Sequence, residues 1–253
     1  MNSLPLDSLH DELTRIVGQA GDEGILLRLL GGLAVQLHSP SANQHQLQRT
    51  YPDLDFITDA RGGQKLPAFL SGMGYTPDKR FNTLNGDRRQ LYFDEAHGRQ
   101  IDIFVGAFEM CHKLPLADRL AVESPTIPLA ELMLSKAQIV ELNHKDVLDL
   151  LALFLDHPVG MGDAETINQT VIARLCAKDW GLYTTLMLTL EKLRTFLING
   201  EVSLSDEQLQ TLAQRLGQLE SALETAPKTN AWKLRARVGK RLRWYEEVEE
   251  VQR

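Results

Sequence analysis

The spacing of apolar residues changes character once along this chain, near residue 128. Before that point, short apolar runs alternate with Gly, Pro and Asn. Residues 25–30, 54–57, 90–93 and 101–105 have the length and composition of strands. Residues 4–20, 32–37 and 64–73 are helical candidates between them. This mixture predicts a small sheet with helices packed against it. Pro115, Pro125 and Pro128 mark a connecting region. Beyond it the pattern is helical over residues 129–141, 145–155, 164–177, 181–197, 205–223 and 230–251, with a break at Pro158, Gly160 and Gly162. Asn199-Gly200 supplies a helix stop. Ser205, with Gln208 at the third helical position, has the form of a capping box. The predicted fold class is α+β, a mixed sheet with flanking helices over residues 1–125 and an all-helical domain over residues 126–253.

Composition narrows the functional classes. Of 253 residues, 43% are hydrophobic and 24% charged, which excludes wholesale disorder and coiled-coil rods. The longest apolar runs fall short of the roughly 20 residues a membrane span needs, so no membrane association is expected. Residues 1–11 lack the basic cluster and apolar core of a signal peptide. Cys111 and Cys176 make no disulfide framework and fit a reducing cytoplasm. The seven histidines show no metal-ligand spacing, so zinc is not expected, and the P-loop, hydrolase-elbow and dinucleotide fingerprints are missing from the sequence.

A net charge of −7 argues against sequence-blind binding to nucleic acid. The charge is uneven, however. Lys228, Lys233, Arg235, Arg237, Lys240, Arg241 and Arg243 fall in one stretch free of acids. Leu234, Val238, Leu242 and Tyr245 form an apolar stripe there, predicting a helix packed on the helical body with its basic residues on the opposite face. That face reads either as a solvated charged surface or as a contact for an acidic partner or an RNA backbone. Glu246, Glu247, Glu249 and Glu250 partly cancel its field. Trp180, Tyr183 and Phe196 are expected in the helical core.

Three features carry chemistry. In Leu29-Leu30-Gly31-Gly32-Leu33-Ala34 an apolar strand runs into two glycines and a helix-like segment. Glycines there let the backbone turn sharply and approach a ligand, and amides opening the helix face an anion. Taken alone, it reads more readily as a tight turn in a packed sheet. In Pro52-Asp53-Leu54-Asp55-Phe56-Ile57, strand alternation points Asp53 and Asp55 one way and Leu54 and Phe56 the other, into a core. Two adjacent carboxylates repel unless a cation lies between them, and Mg²⁺ meets that need. In Gln100-Ile101-Asp102-Ile103-Phe104 a single acid sits inside an apolar strand. An unpaired buried carboxylate is costly, so Asp102 reaches either the surface or a cation.

Gly31-Gly32, Asp53-Leu54-Asp55 and Asp102 together resemble the nucleotidyltransferase superfamily related to DNA polymerase beta. Arg49 four residues before Asp53, Lys136, and the run Lys145-Asp146-Val147-Leu148-Asp149-Leu150 are similar to motifs of its abortive-infection, AbiE-type branch of toxin and uncharacterised members. The resemblance spans residues 24–155. It implies a catalytic domain over residues 1–125 and a helical domain over 126–253 that closes the active cleft. Asp53, Asp55 and Asp102 would hold one or two Mg²⁺ ions, and Asp102 would also help deprotonate the attacking hydroxyl. Gly31 and Gly32 would cradle the β- and γ-phosphates of an NTP, with Arg49 and Lys136 as phosphate contacts. The acceptor implied is a hydroxyl, in toxin members that of an RNA such as tRNA, and a toxin would have an antitoxin protein as partner.

The interval from Gly32 to Asp53, twenty residues from Leu33 to Pro52, is longer than the superfamily's usual one. Its polar part, residues 38–48, reads as a loop that is either a lid or an insertion. The glycine pair and all three acids are intact, which favours an active enzyme. Lys145 and Asp149 also fit a simple i,i+4 ion pair, and Lys136 fits a solvated helix lysine. Two other functions share these motifs: transfer to a small molecule, as in enzymes that adenylylate aminoglycoside or lincosamide antibiotics, and a non-catalytic nucleotide-binding or regulatory protein.

Overall fold

Side-chain caps fix where most helices of this chain begin. The Ser8 hydroxyl accepts from the Asp11 amide at 3.3 Å and starts α1 (Leu9–Asp22). In the computed structural model, which describes residues 4–247, the chain falls into two units. One comprises the residues up to Ala34, Thr50–Glu109 and Lys113–Pro128; the other comprises Val35–Arg49, Met110–His112 and the residues from Leu129 on. The fold is α+β.

The first unit is built on a five-stranded mixed sheet. Its elements after α1 are β1 (Leu27–Leu30), the start of α2 (Gly31–His38), β2 (Leu54–Thr58), α3 (Ala60–Gly72), β3 (Thr76–Pro77), α4 (Lys79–Asn85), β4 (Arg89–Asp94) and β5 (Arg99–Val105). A hairpin of β6 (Ala107–Glu109) and β7 (Lys113–Pro115) follows. Strand order is β1-β2-β5-β4-β3, with β2 and β5 parallel and the remaining pairs antiparallel. Alternation gives the sheet two unlike faces. Leu29, Leu54, Phe56, Ile101, Ile103 and Tyr92 share one face and are buried. That face receives α3, where the Gln90 amide donates to the Gly63 carbonyl at 2.9 Å and a Cβ on Gly63 would press into Val105. The other face carries Asp55 and Asp102. Here β4, β5 and β2 lie where the apolar runs predict them, whereas α4, β3, β6 and β7 are too short and too polar to show as periodic segments.

The second unit is helical. It holds α5 (Leu129–Ala137), α6 (His144–Asp156), a two-residue parallel pair β8 (Val159–Gly160) and β9 (Ile167–Asn168), α7 (Gln169–Cys176), α8 (Trp180–Ile198), α9 (Asp206–Thr225) and α10 (Asn230–Val238). Leu212, Leu216, Leu219 and Leu223 run down one side of α9 and are fully buried. The capping box forms as the sequence indicates, Gln208 amide to Ser205 hydroxyl and Ser205 amide to Gln208 side chain. The polar stretch over residues 38–48 is not a plain loop. It contains a 3₁₀ turn, Pro40–Asn43, held by the Asp156 carboxylate, which accepts from the Ser41 amide at 2.8 Å and hydroxyl at 2.6 Å.

The C-terminal helix departs from expectation. It was expected over residues 230–251, but it stops at Val238 because Gly239 takes φ 61°, a conformation L side chains rarely adopt. Residues 248–251 lie outside the described part. The stripe of Leu234, Val238 and Leu242 is exposed rather than packed. Aromatic rings make the contacts instead. Trp232 stands edge-on to Tyr183 at 5.3 Å, Trp244 edge-on to Trp180 at 6.4 Å, and the Trp244 indole N–H donates to Thr185 at 3.1 Å. Indole and phenol rings offer larger faces than leucine, and cations stack on them: Arg235 over Trp180 at 4.6 Å and Lys228 over Tyr183 at 5.0 Å. Part of the basic stretch is thus spent on aromatic packing. Phe196 is buried as expected, while Trp180 and Tyr183 are half-buried. Among the described residues, no helix is long and apolar enough to cross a membrane.

Candidate active site

The glycine bend and the acids meet in the first unit. The chain leaves β1 at Leu30, which is paired opposite Asp55 of β2, and turns at Gly31 into α2. Gly31 is required twice over. Its φ is 77°, and a Cβ placed on it would collide with the Asp55 carboxylate. The acid is therefore packed against the first residue of a helix, where backbone amides lack intrahelical acceptors.

Asp55 is the register partner of Asp102 on the parallel strand β5, so the two side chains leave the sheet on the same side. Asp53 stands one residue before β2, half-buried, and its charge acts on Asp102. Asp102 is buried, 5% exposed. Burial raises its pKa above the ordinary carboxylate value and Asp53 adds to the rise, while Arg89 pulls the other way. All three predicted acids therefore share one face.

Arg89 belongs to this site, and motif reading missed it. Leu91 of β4 is paired opposite Asp102, so Arg89, two residues earlier, leaves the same face one step along the diagonal. Its Nε donates to Asp102 Oδ1 at 2.8 Å and Oδ2 at 3.1 Å, and its Nη2 donates to Oδ2. The guanidinium lies over the rings of Phe104, at 5.0 Å, and Phe81, at 6.0 Å. The signal was available in the alternation of β4 once its hairpin register with β5 was counted back from the turn at His97-Gly98.

Three carboxylates on one face, beside a bend that would not tolerate a side chain, offer the hard oxygen ligands that Mg²⁺ takes. Asp102 is buried, so as a carboxylate it needs positive charge beside it, part of which Arg89 supplies. The residues fit the ion. Arg89 already holds both oxygens of Asp102.

The second unit holds a separate ion cluster from the remaining predicted residues. Asp149, 1% exposed, accepts from Arg49 Nε at 2.7 Å and Nη2 at 2.6 Å. Lys136 Nζ lies 2.9 Å from Asp149 Oδ2 and 3.1 Å from Asp146 Oδ1. Burial works against the Lys136 ammonium, but Asp149 and Asp146 outweigh it and hold its pKa above the ordinary value. The cluster unites Arg49, Lys136, Asp146 and Asp149. Lys145 does not enter it: it is exposed, and the Asp149 oxygens face Arg49 and Lys136 rather than the i,i+4 lysine.

No protein-family model matches the sequence, and no curated protein matches it. Among solved structures the chain is similar to the crystal structure of an antigenic nucleotidyltransferase-like protein from Paracoccidioides brasiliensis. Identity is 17% and the TM-score 0.38, over 90% of this chain and 97% of that one.

Proposed function

We propose that this chain is a Mg²⁺-dependent nucleotidyltransferase, moving a nucleoside monophosphate from an NTP to a hydroxyl acceptor. The observation that carries the reading is the Asp55–Asp102 register pair, with Asp53 beside it, on the sheet face that meets the Gly31 bend. Asp53 and Asp55 are the residues that would hold Mg²⁺, with Asp102 joining them when Arg89 yields an oxygen. The ion would neutralise charge on the phosphates and the leaving pyrophosphate. Gly31 and Gly32 admit a phosphate chain close to the backbone, and the first-turn amides of α2 orient it. The acceptor oxygen forms its bond to the α-phosphorus as the bond to pyrophosphate breaks, and its proton passes to Asp102. Arg49 and Lys136 each have a carboxylate partner within their own unit, so any phosphate contact would come in addition to those pairs.

The acceptor proposed is an RNA such as tRNA, and an antitoxin protein is the proposed partner, both on the strength of the AbiE-type motifs. A second reading is favoured by Arg89 on Asp102: a nucleotide-binding regulatory protein in which arginine permanently takes the ion's place. Incubation with each labelled NTP, Mg²⁺ and total cellular RNA separates the readings. Label on RNA supports transfer to RNA, and pyrophosphate release only with a small hydroxyl compound supports a small-molecule transferase. NTP binding without consumption supports the regulatory reading. Unchanged NTP consumption in Asp53→Ala would overturn the assigned site.

A further inference from the structure

Three side chains far apart in sequence converge in the second unit, outside the ion cluster described above. His38 is the last residue of α2, His157 follows the last residue of α6, and Glu165 lies in the turn between β8 and β9. One ring nitrogen of each histidine and one carboxylate oxygen of Glu165 lie within 4.8 Å of one another.

Hydrogen bonds tie together the elements that carry them. Asp156 grips Ser41 through both amide and hydroxyl, tying the segment just after His38 to the end of α6. Arg215 of α9 donates to the carbonyls of Phe154 and Leu155 at 2.8 and 2.7 Å, closing that helix end immediately before His157. The Ile167 amide donates to the Pro158 carbonyl at 2.9 Å and brings the turn holding Glu165 back over His157. Glu165 has φ 46°, and among the described residues it is the one non-glycine with a positive φ. Such strain persists where surrounding structure imposes it.

The hydrogen bonding of His157 fixes its chemistry. The ring is 3% exposed. Its Nε2 lies 3.2 Å from the His38 carbonyl oxygen, which can only accept, so Nε2 carries the proton in the neutral ring. Nδ1 then presents its lone pair, and it faces a Glu165 carboxylate oxygen at 3.7 Å, beyond hydrogen-bond reach. A lone pair facing a carboxylate oxygen is repulsive unless positive charge lies between them. A backbone carbonyl holding the far nitrogen of a histidine is also how metal centres set the tautomer of their ligands.

We propose that His38, His157 and Glu165 form a three-ligand site for a transition-metal ion, zinc above all, with a fourth position left to water or an added ligand. Two imidazoles and a carboxylate are a donor set that zinc takes in tetrahedral geometry. The ion would join the end of α2, the end of α6 and the β8–β9 turn.

The test is zinc titration into the metal-free full chain against a competing chromogenic chelator, with excess Mg²⁺ present to fill oxygen-only sites. The result expected is one zinc per chain, unchanged in Asp53→Ala. Glu165→Gln, on an exposed turn, and His38→Gln should each lower affinity about tenfold or more. Co²⁺ should give the visible bands of a four-coordinate site in the parent chain and lose them in His38→Gln. Failure to take up a stoichiometric ion would overturn the proposal. So would uptake that neither variant weakens.

Discussion

The Arg89 guanidinium holds both carboxylate oxygens of Asp102, on the sheet face that also carries Asp53 and Asp55. A buried acid has thus been given a cation by the protein itself. If that face also takes Mg²⁺, arginine and metal compete for one carboxylate. Arg89→Leu keeps an apolar group against Phe104 and removes the charge. Stability without metal should fall by about 3–5 kcal/mol, the usual cost of stranding a buried partner. Mg²⁺ should then raise the melting temperature of the variant more than that of the parent chain. An equal Mg²⁺ effect on both proteins would separate Asp102 from the metal.

Gly31→Ala probes the bend. The added Cβ meets the Asp55 carboxylate, and φ 77° costs an L residue about 1–2 kcal/mol. The expected outcome is a modest loss of stability in urea unfolding together with near-complete loss of NTP consumption, since the displaced group is the acid assigned to the ion. A variant that keeps its activity would show that Asp55 tolerates displacement and does not serve the reaction.

How far the sequence reaches is visible in these two residues. Asp53, Asp55 and Asp102 were legible because strand alternation and an isolated acid in an apolar run are local patterns, and Gly31 because a strand running into paired glycines is one too. Arg89 was not, since its role depends on the pairing of β4 with β5, and register is a property of two strands at once. The His38, His157 and Glu165 cluster is more remote still: its members lie on three elements with no common spacing. At the C-terminus periodicity pointed the wrong way. Leu234, Val238 and Leu242 have helical spacing, yet the rings of Trp232 and Trp244 make the contacts, and aromatic anchoring leaves no periodic trace.

Asp149 is the shared anion of Arg49 and Lys136, and its loss removes a carboxylate from two buried cations at once, leaving Lys136 with Asp146. Asp149→Asn should destabilise by about 3–5 kcal/mol. Lys136→Met leaves the Arg49–Asp149 pair in place and should cost less. Chemical denaturation ranks the two. If Lys136 also contacts phosphate, Lys136→Met weakens NTP binding beyond its effect on stability; if its role is confined to the cluster, NTP affinity follows stability alone. Equal cost for both substitutions would contradict the central place given to Asp149.

Acid should loosen the first unit through Glu12 and Asp94. Glu12 is fully buried, which by itself raises its pKa, but hydrogen bonds from Arg15, Tyr75 and the Leu6 amide outweigh burial and bring the value below the ordinary one. Asp94 follows the same balance, burial against Arg99 and His97. A carboxyl whose folded pKa is depressed contributes stability above its unfolded value and loses it as pH falls through the folded one. Both groups therefore make the fold weaker below about pH 4. Asp102 has the opposite sign: with its pKa raised, its contribution is present at low pH and lost as pH climbs past the unfolded value. Unfolding measured from about pH 7 down to about pH 3 should show stability falling at the acid end. Glu12→Gln should be less stable than the parent at neutral pH, by about 1–3 kcal/mol, and should lose less on acidification because one of the two acid-sensitive groups is gone. Parallel pH profiles for the variant and the parent would mean that the Arg15–Glu12–Tyr75 contact contributes nothing to acid sensitivity.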